Sequence, residues 1–390
     1  MFPDSIYLDF NATSPLSQSV TDWLKSGDLL FGNPSSQHSL GKASRRAINE
    51  TRSLLYSTFN LSEKTESLFF QSGATEAMAT FAHSFSQWTL KDKKDLLICY
   101  SRTDHPAVTT LAEQNLGSHV QFHEIKINQD LSPDHLENFK YLHSQKQKNP
   151  SLVILYHHLW VHNETGLVSP LEDLLLLKSI SDLYLHVDAV QAIGKIPEWN
   201  KLTVGDIWTF SGHKFGALKG IGYSFFKKDI SFTALLSGGG QQQGLRGGTE
   251  NPLAIKTLAL ALNDLKKNNL EQITQSRNAL EILLKNELKG IGDVVTIPGR
   301  RASNTIYFYF NGLTSDVALA LFDLGGICIS AGSACSSGAS RPSVVLTQMN
   351  LVSVAKNGLR ISLPFALSDE TFGAIQIKIQ KIFQQLRERS

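Results

Sequence analysis

Short apolar runs rich in β-branched and aromatic residues recur along the chain, at 67–70 (SLFF), 96–100 (LLICY), 152–156 (LVILY), 184–187 (YLHV) and 222–226 (GYSFF). Runs of this length, without strict alternation, suit strands buried on both faces. Between them lie segments with helical periodicity, among them one from Thr75 to about Leu90 and another from Pro170 to about Asp182. Strands alternating with crossover helices predict an α/β fold with a mostly parallel central sheet. After Asn251-Pro252 the pattern changes to a long helical stretch, LAIKTLALALNDLKK. Beyond it come a strand-like NTIYFYF at 304–310, a helix from about Ser315, LRISL at 359–363 and an amphipathic helix from about Asp369. This arrangement predicts an N-terminal segment (1–16) packing with a small α+β domain (256–390), and a large domain over 17–255.

The 390 residues exceed what one hydrophobic core usually organises, which agrees with two packed units. Hydrophobic residues make up 42% and charged residues 18%, and no stretch is long and apolar enough for a membrane span. With 37 basic and 35 acidic side chains there is no broad cationic face for nucleic acid. The opening residues have neither a secretory nor a transit-peptide pattern, so a cytoplasmic location is expected. The three cysteines, Cys99, Cys328 and Cys335, are too few and too scattered for a disulfide framework or a zinc cluster.

Four segments carry candidate chemistry. Ser72-Gly73-Ala74-Thr75-Glu76 follows a strand and opens a helix, so free backbone N–H groups and the positive end of the helix dipole could meet a phosphate; a plain strand-to-helix turn would look the same. Lys214, in Ser211-Gly212-His213-Lys214, sits between an apolar run and a glycine-rich one, where desolvation would favour the neutral amine that adds to an aldehyde, unless it is a surface loop lysine. Ser211 and His213 could serve the same phosphate as Thr75. Asp188 closes an apolar strand and needs a cationic partner, such as a protonated pyridine nitrogen, or else caps the next helix; Gln191, three residues on, could reach an adjacent ring oxygen. Cys335 lies among small residues in GSACSSG, where a thiol can be exposed and nucleophilic, whereas Cys99 and Cys328 have apolar neighbours.

Taken in order, these segments resemble the IscS/NifS-type cysteine desulfurases, class V aminotransferase relatives within the fold-type I pyridoxal-phosphate enzymes. The resemblance runs from Tyr7-Leu8-Asp9-Phe10-Asn11-Ala12-Thr13 through Gly32-Asn33-Pro34-Ser35-Ser36, SGATE, Thr103-Asp104-His105 and Asn163-Glu164-Thr165-Gly166. It continues through HVDAVQAIGK, SGHK, the triple glycine at 238–240, Arg246-Gly247-Gly248-Thr249-Glu250-Asn251, GSACSSG and Leu359-Arg360-Ile361-Ser362-Leu363. It implies pyridoxal 5'-phosphate as cofactor, with Lys214 its Schiff-base lysine, Asp188 on the pyridine nitrogen, Gln191 and Asn163 near the ring hydroxyl and His105 stacked on the ring. Ala74, Thr75, Ser211 and His213 would hold the phosphate, with Thr249 reaching in from the other subunit of a homodimer. Arg360, aided by Asn163, would clamp the carboxylate of L-cysteine. Cys335 would take the substrate sulfur as a persulfide, leaving L-alanine, with Lys214 and His105 moving protons.

The sulfur would then pass to an acceptor protein, an iron–sulfur scaffold or a tRNA-thiolation relay. A transient iron–sulfur ligand role for Cys335 is the only metal role the resemblance suggests. Departures from the family pattern are His162 before Asn163 and Gln242-Gln243 after the triple glycine, all expected to alter the rim of the site, then Pro364 after LRISL, and a short C-terminus. Selenocysteine lyase or aminotransferase activity, and a non-catalytic sulfur-assembly scaffold, are the alternatives on the same fold.

Overall fold

A computed structural model describes residues 5–332 and 342–388. Its centre is a seven-stranded sheet in the order Glu66–Gln71, Gly222–Lys227, Ile207–Ser211, Leu183–Asp188, Val153–Leu159, Leu96–Tyr100, Val120–Glu124. All neighbouring pairs are parallel except those of Gly222–Lys227, which runs antiparallel to both its neighbours. The α/β class with a mostly parallel sheet is therefore what forms.

Both faces of this sheet are covered, which is why its strands read as continuous apolar runs. In Leu183–Asp188, the side chains of Leu183, Leu185 and Val187 join one large core, while Tyr184 and His186 face the other side, against Trp88 and Phe85 and against Phe81. The edge strand Val120–Glu124 alternates between half-buried and exposed positions and so carries no apolar run, leaving it invisible to that criterion. Thr75 to Leu90 lies within a helix, Ala74–Lys91.

The expected helix from Pro170 to Asp182 does not form. Instead the chain makes two short 3₁₀ turns, Leu171–Leu175 and Leu177–Ser179. The reason is visible in what is buried: Leu171, Leu174, Leu177 and Ile180 all enter the large core, a spacing of three that a 3₁₀ turn aligns and a 3.6-residue helix would rotate out of register.

The helix Pro252–Leu265 still packs on the large core, through Ile255, Leu258 and Leu262 among others. The helix Leu270–Glu287 covers a second, antiparallel sheet in the order Ser330–Ala331, Gly358–Ser362, Thr305–Phe310, Gly292–Val294. The helix Asp369–Glu388 and Leu8, from near the N-terminus, complete that second core. Ile6–Tyr7 pairs in parallel with Ile327–Cys328, and Asp9 bridges to Ser362, so the start of the chain is stitched to the second sheet. Among the described residues no helix is long and apolar enough to cross a membrane.

The topology puts the five loops that carry candidate residues on one side. The strands ending at Gln71, Tyr100, Leu159, Asp188 and Ser211 run in the same direction, so the segments after them all leave the carboxyl edge of the sheet, where open α/β sheets bind ligands.

The sheet's helix-facing core depends on aromatic packing around Phe81, which is fully buried against Phe69, His186, Phe226 and Phe232. Phe81→Ala should cost about 3–5 kcal/mol of stability, read as a fall in the denaturation midpoint of the purified protein.

Candidate active site

At the first of the five loops, Gly73 precedes the helix Ala74–Lys91 in an extended conformation and supplies no side-chain cap, so the first-turn N–H groups of Ala74 and Thr75 are left for another acceptor. Glu76 accepts from the N–H of Ser72 at 2.8 Å and pairs with Arg246 at 2.9 Å, which draws the Arg246–Asn251 loop of the same chain against this helix start. A Cβ on Gly73 would lie 3.7 Å from Ser211 Oγ, so the ends of the first and fifth strands are adjacent. Thr75 is exposed, as is Thr249 in the Arg246–Asn251 loop; Ser211 is buried.

Lys214 follows in a single 3₁₀ turn, Gly212–Lys214, directly after its strand. Its Nζ donates to the carbonyls of Asn11 (2.9 Å) and Ala12 (2.8 Å). It is thus held inside the molecule and is no surface loop lysine. His213 Nδ1 lies 3.2 Å from Thr13 Oγ1, and burial together with the Lys214 charge pushes its pKa down to about 4. Neutral at physiological pH, it can give one N–H to an anion.

Asp188 ends its strand only 4% exposed. Its carboxylate accepts from the N–H of Val190 at 2.9 Å, and burial raises its pKa to about 6 despite that bond and the charge of Lys214. No helix follows for it to cap; the next residues form turns. A buried carboxylate at a strand end with one backbone donor suits a cationic ligand group.

His105 caps the short helix Pro106–Thr109, its Nδ1 accepting from Ala107 N–H at 3.1 Å. The neutral ring therefore carries its proton on Nε2. Burial, then the Lys214 charge, holds its pKa below the ordinary histidine range, so the neutral form prevails near pH 7. Beneath it, Asp104 is buried and accepts from Ser101 N–H at 2.8 Å; burial lifts its carboxyl to about 8, with the charge of Asp188 adding to the rise.

Arg360 comes from the second sheet. It lies in an inner strand, paired with Tyr307 on one side and Ser330 on the other, and is 2% exposed. Its Nη2 reaches Asp9 (2.6 Å) and Ser330 Oγ (2.8 Å), and its Nη1 the carbonyl of Asn163 (3.0 Å). The buried Nε has no acceptor among the described residues. Asn163 is placed by the turn that ends at Gly166, whose φ of +73° and whose would-be Cβ, 2.8 Å from Thr305, both demand glycine. His162, the departure noted above, accepts at Nδ1 from the N–H groups of Glu164 and Thr165, so it braces this turn from within the core.

Gln242 has a different place from the expected rim: it is buried, and its amide bonds both the N–H (2.6 Å) and the carbonyl (2.9 Å) of Phe70, closing the exposed edge of the outermost strand. Gln243 is exposed. Cys335 lies outside the described residues. The residue reasoning from spacing missed most is Asn11. Its carbonyl takes Lys214 Nζ and Gln191 Nε2 (2.9 Å each), its Nδ2 reaches Asn163 and Thr305, its Oδ1 takes Asn304, and its N–H goes to Ser362 Oγ. Glu164 was also missed: buried, it accepts from Tyr307 at 3.0 Å, and only its place beside Asn163 in the sequence hinted at it.

The donor set fits a phosphorylated, cationic heterocyclic aldehyde: an uncapped helix start with Ser211 and His213, a buried carboxylate in Asp188, and the amine of Lys214. Because the Asp104 carboxyl is raised, its share of folding stability is greatest in acid and falls as pH climbs from about 4 through about 8. Asp104→Asn should therefore gain stability relative to wild type at pH 8 and be little changed near pH 4, as read from denaturation midpoints at both pH values.

Comparison with known proteins agrees with this geometry. The aminotransferase class-V family model matches residues 6–372. A cysteine desulfurase IscS of Dictyoglomus turgidum is 31% identical, covering 98% of this chain and 95% of the relative. A cysteine desulfurase of Cereibacter sphaeroides is 33% identical over 95% of this chain and 92% of its own. Among solved structures, a NifS-like protein from Rickettsia africae superposes with a TM-score of 0.80 at 25% identity, covering 97% of this chain and 99% of its own. The chain belongs to the aminotransferase class-V family.

Proposed function

We propose that this protein is a pyridoxal-phosphate-dependent cysteine desulfurase that converts L-cysteine to L-alanine and leaves the sulfur as a persulfide on Cys335. One observation carries the reading: Lys214, buried Asp188, neutral His105 and the helix start at Ala74 share one edge of the large sheet, and Arg360 meets them from the second.

Pyridoxal phosphate, when bound, supplies an electron sink conjugated to the substrate's α-carbon. Ala74 and Thr75, through their N–H groups, with Ser211 and His213, hold the phosphate, and Thr249 does so from a partner copy in a homodimer. Asp188 keeps the ring nitrogen protonated, and Gln191 and Asn163 border the ring oxygen. Arg360 binds the substrate carboxylate through its unpartnered Nε and the adjacent Nη, while Asp9 and the Asn163 carbonyl hold the guanidinium in place. Lys214 moves the α-proton. His105, with its proton on Nε2, would lie against the cofactor ring and exchange a proton with the substrate thiol.

The Cys335 thiolate attacks the substrate sulfur. A sulfur–sulfur bond forms as the carbon–sulfur bond breaks, and the electron pair left on the β-carbon takes up a proton to give alanine. The persulfide then passes to an acceptor protein in iron–sulfur assembly or tRNA thiolation.

The test is alanine and sulfide release from L-cysteine with a reductant. Wild type should make both; Cys335→Ala should bind the cofactor and release neither. Lys214→Ala should lose activity by at least ~100-fold, and borohydride should fix the cofactor to the Lys214 peptide in wild type only. Wild type that binds the cofactor but makes no alanine would sink the assignment. Arg360→Lys keeps the charge and loses the fork, so KM for cysteine should rise by about tenfold or more with a smaller change in kcat.

A further inference from the structure

Lys195 is the largest unexplained commitment in the molecule. Its side chain is 1% exposed, and no carboxylate among the described residues lies within ion-pair distance of it. Burying an amine without a counter-charge is unfavourable, and such groups are retained where they orient a neighbour or meet an anion. The backbone fixes its position: Lys195 N–H bonds the carbonyl of Ala192 at 3.0 Å and its own carbonyl takes Ser303 N–H at 2.8 Å, within a turn whose Ala192, Ile193 and Ile196 are buried in the large core.

Among the described residues the one acceptor for its Nζ is Oε1 of Gln191, one turn earlier. The other end of that amide, Nε2, donates to the carbonyl of Asn11 at 2.9 Å, the same oxygen that takes Lys214 Nζ at 2.9 Å. Gln191 Nε2 and Lys214 Nζ can therefore be no farther apart than twice that length. Both contacts dictate one orientation of the amide, with oxygen toward Lys195 and the NH₂ toward Lys214. One hydrogen of that NH₂ is given to Asn11, and the second remains for a ligand joined to Lys214.

We propose that Lys195 is a positioning residue: by donating to Gln191 Oε1 it locks the amide so that Gln191 offers an N–H to the ring oxygen of a pyridoxal-type cofactor on Lys214. The proposal rests on the cofactor reading above. The surrounding charges are those of Lys214, Arg360 and Asp9; burial and the first two hold the Lys195 pKa well below the ordinary lysine range, with Asp9 opposing. An N–H donates to Gln191 in either charge state. Without Lys195, Gln191 Oε1 would be buried with no donor, and the amide would be free to rotate its NH₂ away.

A donor at the ring oxygen makes that oxygen less basic and so weakens its hold on the imine proton. Losing the donor should raise the pH at which the visible band of the cofactor on Lys214 titrates. The full-length protein is titrated with pyridoxal phosphate, and the spectrum is followed against pH for wild type, Lys195→Met, Lys195→Arg, Gln191→Met and the Lys195→Met/Gln191→Met double variant. The Met variant should raise the midpoint by about one pH unit, tenfold in proton affinity; Lys195→Arg should return it toward wild type. The double variant should match Gln191→Met alone, because the two residues act as one.

A Lys195→Met variant with the wild-type midpoint but a lowered melting temperature of the cofactor-free protein shows a merely structural lysine and overturns the proposal. A double variant shifted well beyond Gln191→Met overturns action through Gln191. If the Met variant does not fold, Lys195→Leu is read in the same way and by the same criteria. Wild type that takes up no pyridoxal phosphate overturns the cofactor reading and this proposal together, whereas a wild-type band with an unmoved variant midpoint overturns this proposal alone.

Discussion

Everything at this site depends on the buried hydrogen-bond node at Asn11. A residue near the N-terminus gives its carbonyl to the Lys214 amine and the Gln191 amide, its side chain to Asn163, Thr305 and Asn304, and its N–H to Ser362. Those partners belong to three separate loops of the large sheet and two strands of the second. An asparagine 2% exposed can be tolerated only when its donors and acceptors are satisfied. The requirement ties five stretches of chain to one point, and the N-terminal segment, paired with Ile327–Cys328 at Ile6–Tyr7 and bridged to the second sheet at Asp9, brings the node there.

Burial then tunes the ionisable groups. The carboxyls of Asp188 and Asp104 are pushed up and the imidazoles of His105 and His213 pushed down, in each case chiefly because the charged form is taken out of water. The charge of Lys214 adds to the effect on both histidines. The result is a pocket with few fixed charges, in which a carboxylate, an amine and neutral imidazoles lie close together at the carboxyl edge of the sheet. Arg360 adds a guanidinium to this pocket, paired with Asp9.

Two departures from the family pattern acquire simple structural roles. His162 uses one ring nitrogen to gather two backbone N–H groups in the turn that presents Asn163. Gln242 uses its amide as a substitute for a missing neighbouring strand, bonding both backbone groups of Phe70.

The sequence by itself determined the α/β class, the strands with continuous apolar runs and the candidates Lys214 and Asp188, because hydrophobic periodicity and residue type are local properties, while Arg360 came from the family resemblance. It did not reveal the edge strand Val120–Glu124, whose half-exposed alternation lacks an apolar run, and it suggested a helix where a spacing of three buried leucines and an isoleucine makes 3₁₀ turns. Only the tertiary structure decided that Asn11 would be the common acceptor, that Lys195 would be buried against Gln191, and that Arg360 would sit in an inner strand facing Asp9. Those facts arise from contacts between residues as much as 351 positions apart, and no local pattern encodes which distant carbonyl will be left for a buried donor to find.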